Sequence, residues 1–312
     1  ILFSLTNDMS ANASLPIYAP PINSLLATHP FTLVGFIAYG LFFCTQYFLL
    51  RKKETHWQDT LLTLMHSASG LFLLLLVFWE MHWQFNALAL SGETSFALWI
   101  AIYAIPILIT FFVHRLPRWP FASHSTAYQT IIPSLPLALC LFWFLAAIAQ
   151  TGSVGTLPYL PILNLIDLGQ AAVLLLFAYA LRQNLCHLEK LPTPIRYGAL
   201  GLAIFLWLNL VLLRALHHYL NVPYSAYALW HSITVQMALT ILWSVLALIV
   251  MFMAKRWQQR QVWMVGASLL ALVVLKLFFK ELADSGTLTR IVSFLVAVSY
   301  THLRAHETVL DL

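Results

Sequence analysis

The sequence predicts an all-α fold, a polytopic transmembrane helical bundle, and three observations carry that prediction. Hydrophobic residues make up 61% of the 312 and charged residues only 9%, against about 45–50% and 25% in soluble domains. The apolar residues collect in runs of about 20, the length a helix needs to cross ~30 Å of hydrocarbon. The runs are also continuous, as in "LFLLLLVFW" (71–79), whereas a membrane barrel needs short alternating strands.

Residues 1–30 include "NDMSANASLPIYAPPINSLLATHP", a stretch rich in Pro, Ser and Asn that reads as a connection. It has no initiator Met, no basic n-region and no signal-peptide pattern. It is expected to be an extracytoplasmic loop whose preceding helix is missing, in a chain that is a fragment at both ends. Eight apolar segments follow, at 31–50, 61–79, 96–113, 131–149, 165–181, 197–216, 229–254 and 262–280. A ninth opens at Arg290 with "RIVSFLVAV" and breaks off after about ten residues. The expected architecture is therefore about eight full spans plus a truncated ninth. It falls into a first four-helix membrane unit (31–149), a second membrane unit (150–298) and a tail (299–312).

Lys and Arg set the orientation, because cytoplasmic loops retain positive charge. Arg51, Lys52 and Lys53 follow the first segment, Arg115 and Arg118 the third, Arg182, Lys190 and Arg196 the fifth, and Lys255, Arg256 and Arg260 the seventh. The stretches 1–30, 80–95 and 150–164 contain neither residue, so the leader is expected outside. The formal charge of +5 consists of these topology signals and is no nucleic-acid footprint. An aromatic content of 14% fits Trp and Tyr anchoring at membrane interfaces. Cys44, Cys140 and Cys186 show no zinc or redox spacing, and no disulfide is expected.

Four stretches carry a family resemblance: "YLPILNLIDLGQ" (159–170), "FLWLNLVLLRALHHYLNVP" (205–223), "VQMALTILWSVLAL" (235–248) and "VWMVGASLLALVVLKLFFKELADSGTLTRIVSF" (262–294). They resemble the bacterial family called domain of unknown function 2339. The resemblance covers roughly residues 155–297 well and the earlier part in general character. It implies a many-helix protein of the bacterial inner membrane, usually much longer than this chain, with no established activity to carry over. The family usually has Pro after the Asn of its "NP-D" segment, whereas Leu165 follows Asn164 here, a departure confined to the local turn.

The tail, "SYTHLRAHETVLDL" (299–312), holds His302 and His306 four apart with Glu307 beside them. This spacing puts two rings on one helical face, as a metal pair requires. The Glu that a His-Glu-x-x-His protease carries inside the pair is replaced by Leu303. In the family the span starting at Arg290 continues as an apolar helix, whereas here it changes abruptly after Val298. The tail resembles a sequencing-adapter translation artefact. No metal and no cofactor is expected.

Ionisable residues in spanning helices are costly and are functional candidates by default. Here they collect at the outer ends: Glu80 and His82, Asp167, Arg214 with His217 and His218, His231, then Lys276, Lys280 and Asp284, and Arg290. Arg214, Lys276, Lys280 and Arg290 are basic residues on the side the topology rule disfavours. The candidate ligand-binding set is Asp167, Arg214, His217, His218, Lys276 and Lys280, where cations receive a phosphate or carboxylate and Asp167 neutralises one of them. The structural alternative is snorkelling of Lys276 and an i,i+4 pair between Lys280 and Asp284. Asn209, Gln236, Gln170 and His66 are expected to hydrogen-bond neighbouring helices, and the small residues of "MHSASG" (65–70) to let helices approach.

A faint repeat pairs "LPIYAPPINSLL" with "LPYLPILNLI", "HWQFN" with "HHYLN" and the two "RW" dipeptides, at offsets of 141, 135 and 138 residues. Two units of four helices in one orientation would form a parallel repeat, as in some transporters. Three function classes follow. The first is transport or binding of an anionic or lipid-linked envelope solute at an outward-facing polar site. The second is a structural or assembly subunit of the cell envelope. The third is a membrane enzyme acting on a lipid-linked substrate, with Asp167 or a His as base and Arg214 as stabiliser. No Gly-rich phosphate loop, nucleophile elbow or acyltransferase motif occurs, so no catalytic residue is assigned. Membrane lipid is the expected partner, with an anionic or lipid-linked ligand and no nucleic acid.

The Lys/Arg alternation makes the orientation testable. A cysteine placed at Ser91 is expected to react with an impermeant thiol reagent added outside, and one at Thr55 only from the cytoplasmic side; the opposite labelling would reverse the topology.

Overall fold

The computed structural model describes residues 33–88, 92–113, 118–153, 158–183, 185–276 and 279. Nine α-helices run through these residues: α1 (Leu33–Lys53), α2 (Asp59–Ala87), α3 (Gly92–Val113), α4 (Ile132–Ala146), α5 (Leu165–Arg182), α6 (Thr193–Leu220), α7 (Ala226–His231), α8 (Ile233–Trp257) and α9 (Arg260–Lys276). No strand occurs among the described residues.

Each of the eight apolar segments overlaps one of the long helices. Six helical stretches are long and apolar enough to cross a membrane: Asp59–Ala87, Gly92–Phe112, Thr126–Ala149, Leu165–Arg182, Thr193–Leu220 and Ile233–Trp257. The described residues thus supply six spans where the sequence leads one to expect eight and a partial ninth. Helix α9 has only 17 described residues. The leader, Ser91, Lys280, Asp284, Arg290 and the tail with His302 and His306 lie outside the described residues.

The chain divides into two compact units, residues 1–157 with 168–201, and residues 158–167 with 202–312. In the first unit α2 packs on α1, α3 and α4, and α3 packs on α4. Pro106 lies inside α3, and the Thr110 hydroxyl donates to the Pro106 carbonyl at 2.8 Å. A π-helical turn (Thr126–Ile131) leads into α4, just ahead of Pro133, whose ring has no N–H to give the preceding turn. The Trp143 indole N–H donates to the Phe96 carbonyl at 2.8 Å, and the two rings stack at 5.3 Å. Gly169 allows this ring a close approach, since a Cβ there would stand 2.5 Å from the Trp143 Cη2 atom. Gln170 donates to the Phe144 carbonyl at 3.3 Å.

Glu93, in the first turn of α3, is clasped by the loop after α4. Its Oε1 accepts from the Thr151 N–H at 2.9 Å and the Thr151 hydroxyl at 2.7 Å. Its Oε2 accepts from the N–H groups of Gly152 and Ser153 at 2.7 and 2.8 Å. Gly152 has φ +87°, a conformation open to glycine that helps turn successive N–H groups toward one anion.

In the second unit α8 and α9 form an antiparallel hairpin. Ser232 caps α8 by accepting from the Val235 N–H, and Gln258 ends it in the left-handed region at φ 54°. Asn209 ties α6 to α8, because its Oδ1 accepts from the Trp243 indole N–H at 2.7 Å. Gln236 donates to the Leu229 and Trp230 carbonyls at 3.3 and 3.0 Å.

The polarity of the molecule is inverted relative to a soluble protein. Leu175, Phe112 and Ile233 are more than two-thirds exposed, while His66, Asp167, Gln170 and Arg214 have no exposed surface. Lipid imposes no penalty on the first group and a heavy one on the second.

The α8–α9 contact sets a packing test. A Cβ on Gly266 would meet the Met251 Cγ at 2.6 Å and the backbone of Ala247 and Met251 at 3.1 Å. Gly266→Val is expected to lower stability by about 1–3 kcal/mol, read as a fall in melting temperature of the detergent-solubilised protein. Gly198→Ala, where nothing lies within 4 Å, serves as the comparison and is expected to cost nothing and to gain up to about 1 kcal/mol of helix propensity.

Candidate functional site

A buried ion pair lies at the start of α5. Asn164 accepts from the Ile166 N–H through Oδ1 at 2.9 Å, which supplies the cap expected of an Asn ahead of a helix. The helix starts directly at Leu165, so the turn forms with Leu after Asn164. Asp167 then falls in the first turn, where the helix dipole favours an anion.

Arg214 reaches this carboxylate from α6. Its Nη1 donates to Asp167 Oδ1, and neither side chain has any exposed surface. The Tyr159 hydroxyl donates to Asp167 Oδ2 at 2.8 Å and lies 3.2 Å from the Val211 carbonyl. The Trp207 indole N–H donates to the Asp167 carbonyl at 3.1 Å. Trp207, Val211, Arg214 and His218 recur at steps of three and four residues, so a single face of α6 meets the Asp167 turn.

The aromatic groups extend the cluster. Tyr159 stacks on His218 with centroids 4.5 Å apart and planes 10° from parallel, and the Tyr219 hydroxyl donates to the Tyr159 carbonyl at 2.8 Å. His217 pairs its Nδ1 with the Val222 carbonyl at 2.7 Å and meets His218 edge-on at 4.9 Å. A carbonyl only accepts, so this nitrogen carries the proton. Burial, and next the Asp167 carboxylate, push the Tyr159 phenol well above its ordinary value. It stays protonated and serves as a donor throughout the physiological range.

Lys276 belongs to a different group of contacts. Its ammonium donates to the Gln236 carbonyl at 2.7 Å and to the Thr240 hydroxyl at 2.6 Å, and stands 5.7 Å from the centre of the Trp243 ring. Of the six candidates, Asp167 and Arg214 are in direct contact, and Tyr159 links them to His218. His217 flanks His218, Lys276 is held by α8, and Lys280 lies outside the described residues. Glu80 and His82 bond within α2, to Gln84 at 2.7 Å and Asn86 at 2.9 Å.

Tyr159 was not among the candidates, although it precedes Asp167 by only eight residues. A lone Tyr in a loop of an aromatic-rich membrane protein carries no signal beyond interface anchoring. The same applies to a second cluster in the first unit. His66 and His124 stack at 4.0 Å, and His66 Nδ1 lies 3.0 Å from the Tyr128 hydroxyl. Tyr128 donates to the Tyr47 hydroxyl at 3.0 Å, and His124 Nε2 lies 3.2 Å from Glu54. His66 thus hydrogen-bonds the neighbouring helical turn that carries Tyr128 and is flanked by further aromatic groups within its unit.

The family profile described as "Predicted membrane protein (DUF2339)" matches residues 3–299. That range takes in the N-terminal half, where the resemblance of the sequence was one of general character. No curated protein and no solved structure matches the chain.

Breaking a buried pair strands a charge, while replacing both partners removes it. Arg214→Met alone is expected to cost about 3–5 kcal/mol, and the double variant Asp167→Leu with Arg214→Met to recover most of that loss. Thermal unfolding of the four species in a double-mutant cycle measures the difference.

Proposed function

The chain belongs to the DUF2339 family of predicted membrane proteins, and from that premise we propose that it binds and moves an anionic or lipid-linked solute through Arg214. The observation that carries this reading is the pairing of a wholly buried Arg214 with Asp167 in helices apolar enough to span a membrane. Intramembrane cations of this kind mark ligand or ion pathways more often than ordinary packing. A buried ion pair is, in addition, a poor way to gain stability, because desolvation offsets much of the attraction.

In this reading Asp167 acts as a resident anion. An incoming phosphate or carboxylate takes its place on the guanidinium, whose planar donors suit either group. The released carboxylate keeps the Tyr159 hydroxyl as a hydrogen-bond donor, so it is not left bare. His218, stacked on Tyr159, lines the approach, and His217 positions it. The approach faces outward across the bacterial inner membrane, with the leader outside. Lys276 adds positive potential on the same side.

A second reading is supported by the completeness of the pairing. Both groups of the ion pair are saturated by protein, as in a scaffold whose charges hold helices together within an envelope assembly.

The two readings separate on ligand-induced stabilisation of the purified full chain. A polyprenyl phosphate or inorganic phosphate at one hundred times its dissociation constant would stabilise a binding protein by about 2.7 kcal/mol. A rise in melting temperature of several degrees is expected for wild type and a larger one for Asp167→Asn, where the competing carboxylate is gone. Arg214→Gln is expected to show none. If neither probe shifts any species and Asp167→Asn is merely less stable, the scaffold reading stands.

A further inference from the structure

The corner between α8 and α9 holds a cleft of about 420 Å³. It is remote in sequence from the ion pair, and the reading of Arg214 does not depend on it. Its chemistry is divided. Met251, Phe252 and Trp263 supply apolar walls, and Lys255, Gln258 and Arg260 supply polar ones.

The corner is built by the chain's own turn. Gln258 takes the left-handed conformation at φ 54°, the Gln259 N–H donates to the Ala254 carbonyl at 3.0 Å, and the Trp263 N–H donates to the Gln259 carbonyl at 3.1 Å. These bonds reverse the chain within three residues, which leaves Lys255 on one helix and Arg260 on the next facing one space. The close approach of Gly266 to Met251 fixes the apolar wall behind them.

The charge is one-sided. Residues 251–266 hold Lys255, Arg256 and Arg260 and no Asp or Glu. All three cations are exposed and make no ion pair among the described residues. The position is equally specific. Ile233–Trp257 is apolar enough to cross a membrane, so the corner stands at a membrane boundary, and Trp257 and Trp263, 57% and 45% exposed, sit where indole rings settle at that boundary.

We propose that this corner is a binding site for an anionic glycerophospholipid. Lys255 and Arg260 receive the headgroup phosphate, the Gln258 side chain lies within the polar part of the cleft, and the first acyl carbons run along Met251, Phe252 and Trp263. A zwitterionic lipid brings its own cation to the headgroup and gains less from this pair. A free phosphate gains nothing from the apolar wall. The occupant with both an uncompensated negative charge and a chain is the anionic lipid of the surrounding leaflet.

The test uses the full chain in phosphatidylcholine nanodiscs into which phosphatidylglycerol or phosphatidylcholine brominated on the upper acyl chain is titrated. The tryptophan signal lost in Trp263→Phe defines the component at the corner. That component is expected to be quenched at a lower mole fraction of the anionic lipid than of the zwitterionic one, by roughly fivefold per cation. The double variant Lys255→Gln with Arg260→Gln should lose the preference, and Lys255→Arg with Arg260→Lys should keep it. Equal quenching by the two lipids overturns the proposal, as does a preference that survives the double Gln variant. Abolition of the preference by millimolar inorganic phosphate at fixed ionic strength would also overturn it, by assigning the cleft to a soluble anion.

Discussion

The feature on which the second unit depends is a guanidinium with no access to water. Arg214 sits in a helix apolar enough to span a membrane and has no exposed surface. An isolated charge there is prohibitive, so the local structure is arranged around its compensation. Asp167 must come within contact, which requires α5 to begin at Leu165 and Asn164 to cap it. Tyr159 must then lie over the carboxylate, which orders the loop ahead of α5. The His218 stack and the Tyr219 hydrogen bond follow from the placement of Tyr159.

The first unit meets a similar constraint differently. His66 is as deeply buried as Arg214, but an imidazole can enter an apolar interior as a neutral group. Its surroundings are accordingly uncharged or shared: the Tyr128 hydroxyl, the face of His124 and the edge of Trp119 at 5.9 Å. The acidic partner, Glu54, lies 3.2 Å from His124 Nε2 rather than on His66 itself. Glu93 is a third solution, a carboxylate satisfied by three backbone N–H groups and the Thr151 hydroxyl, with no cation paired to it among the described residues. In each case the polar group is matched by a partner suited to its charge or neutrality, and the partner comes from a loop or another helix.

Those partners explain how the site was legible only in part. Asp167 and Arg214 stand out in the sequence because a charge inside an apolar run has few neutral explanations, and their opposite signs make each a natural partner for the other. Lys276 satisfied the same rule and yet takes the Gln236 carbonyl and Thr240 hydroxyl as acceptors. A cation accepts any lone pair within reach, and which one it meets depends on helix rotation. Tyr159, His124, Tyr128 and Trp119 gave no sequence signal, since aromatic residues at loop ends are the ordinary composition of a membrane protein.

The sequence by itself determined the class and the material of the bundle. Long apolar runs admit only helices in lipid, since each helix satisfies its own backbone, and the residues that contradict the apolar pattern mark where polar chemistry must be housed. Tertiary structure decided who meets whom. Hydropathy contains no information on the rotation of one helix against the next. The contact of Arg214 with Asp167, the close fit of Gly266 on Met251 and the turning of Lys255 and Arg260 into one cleft were settled by packing and by a left-handed residue at Gln258.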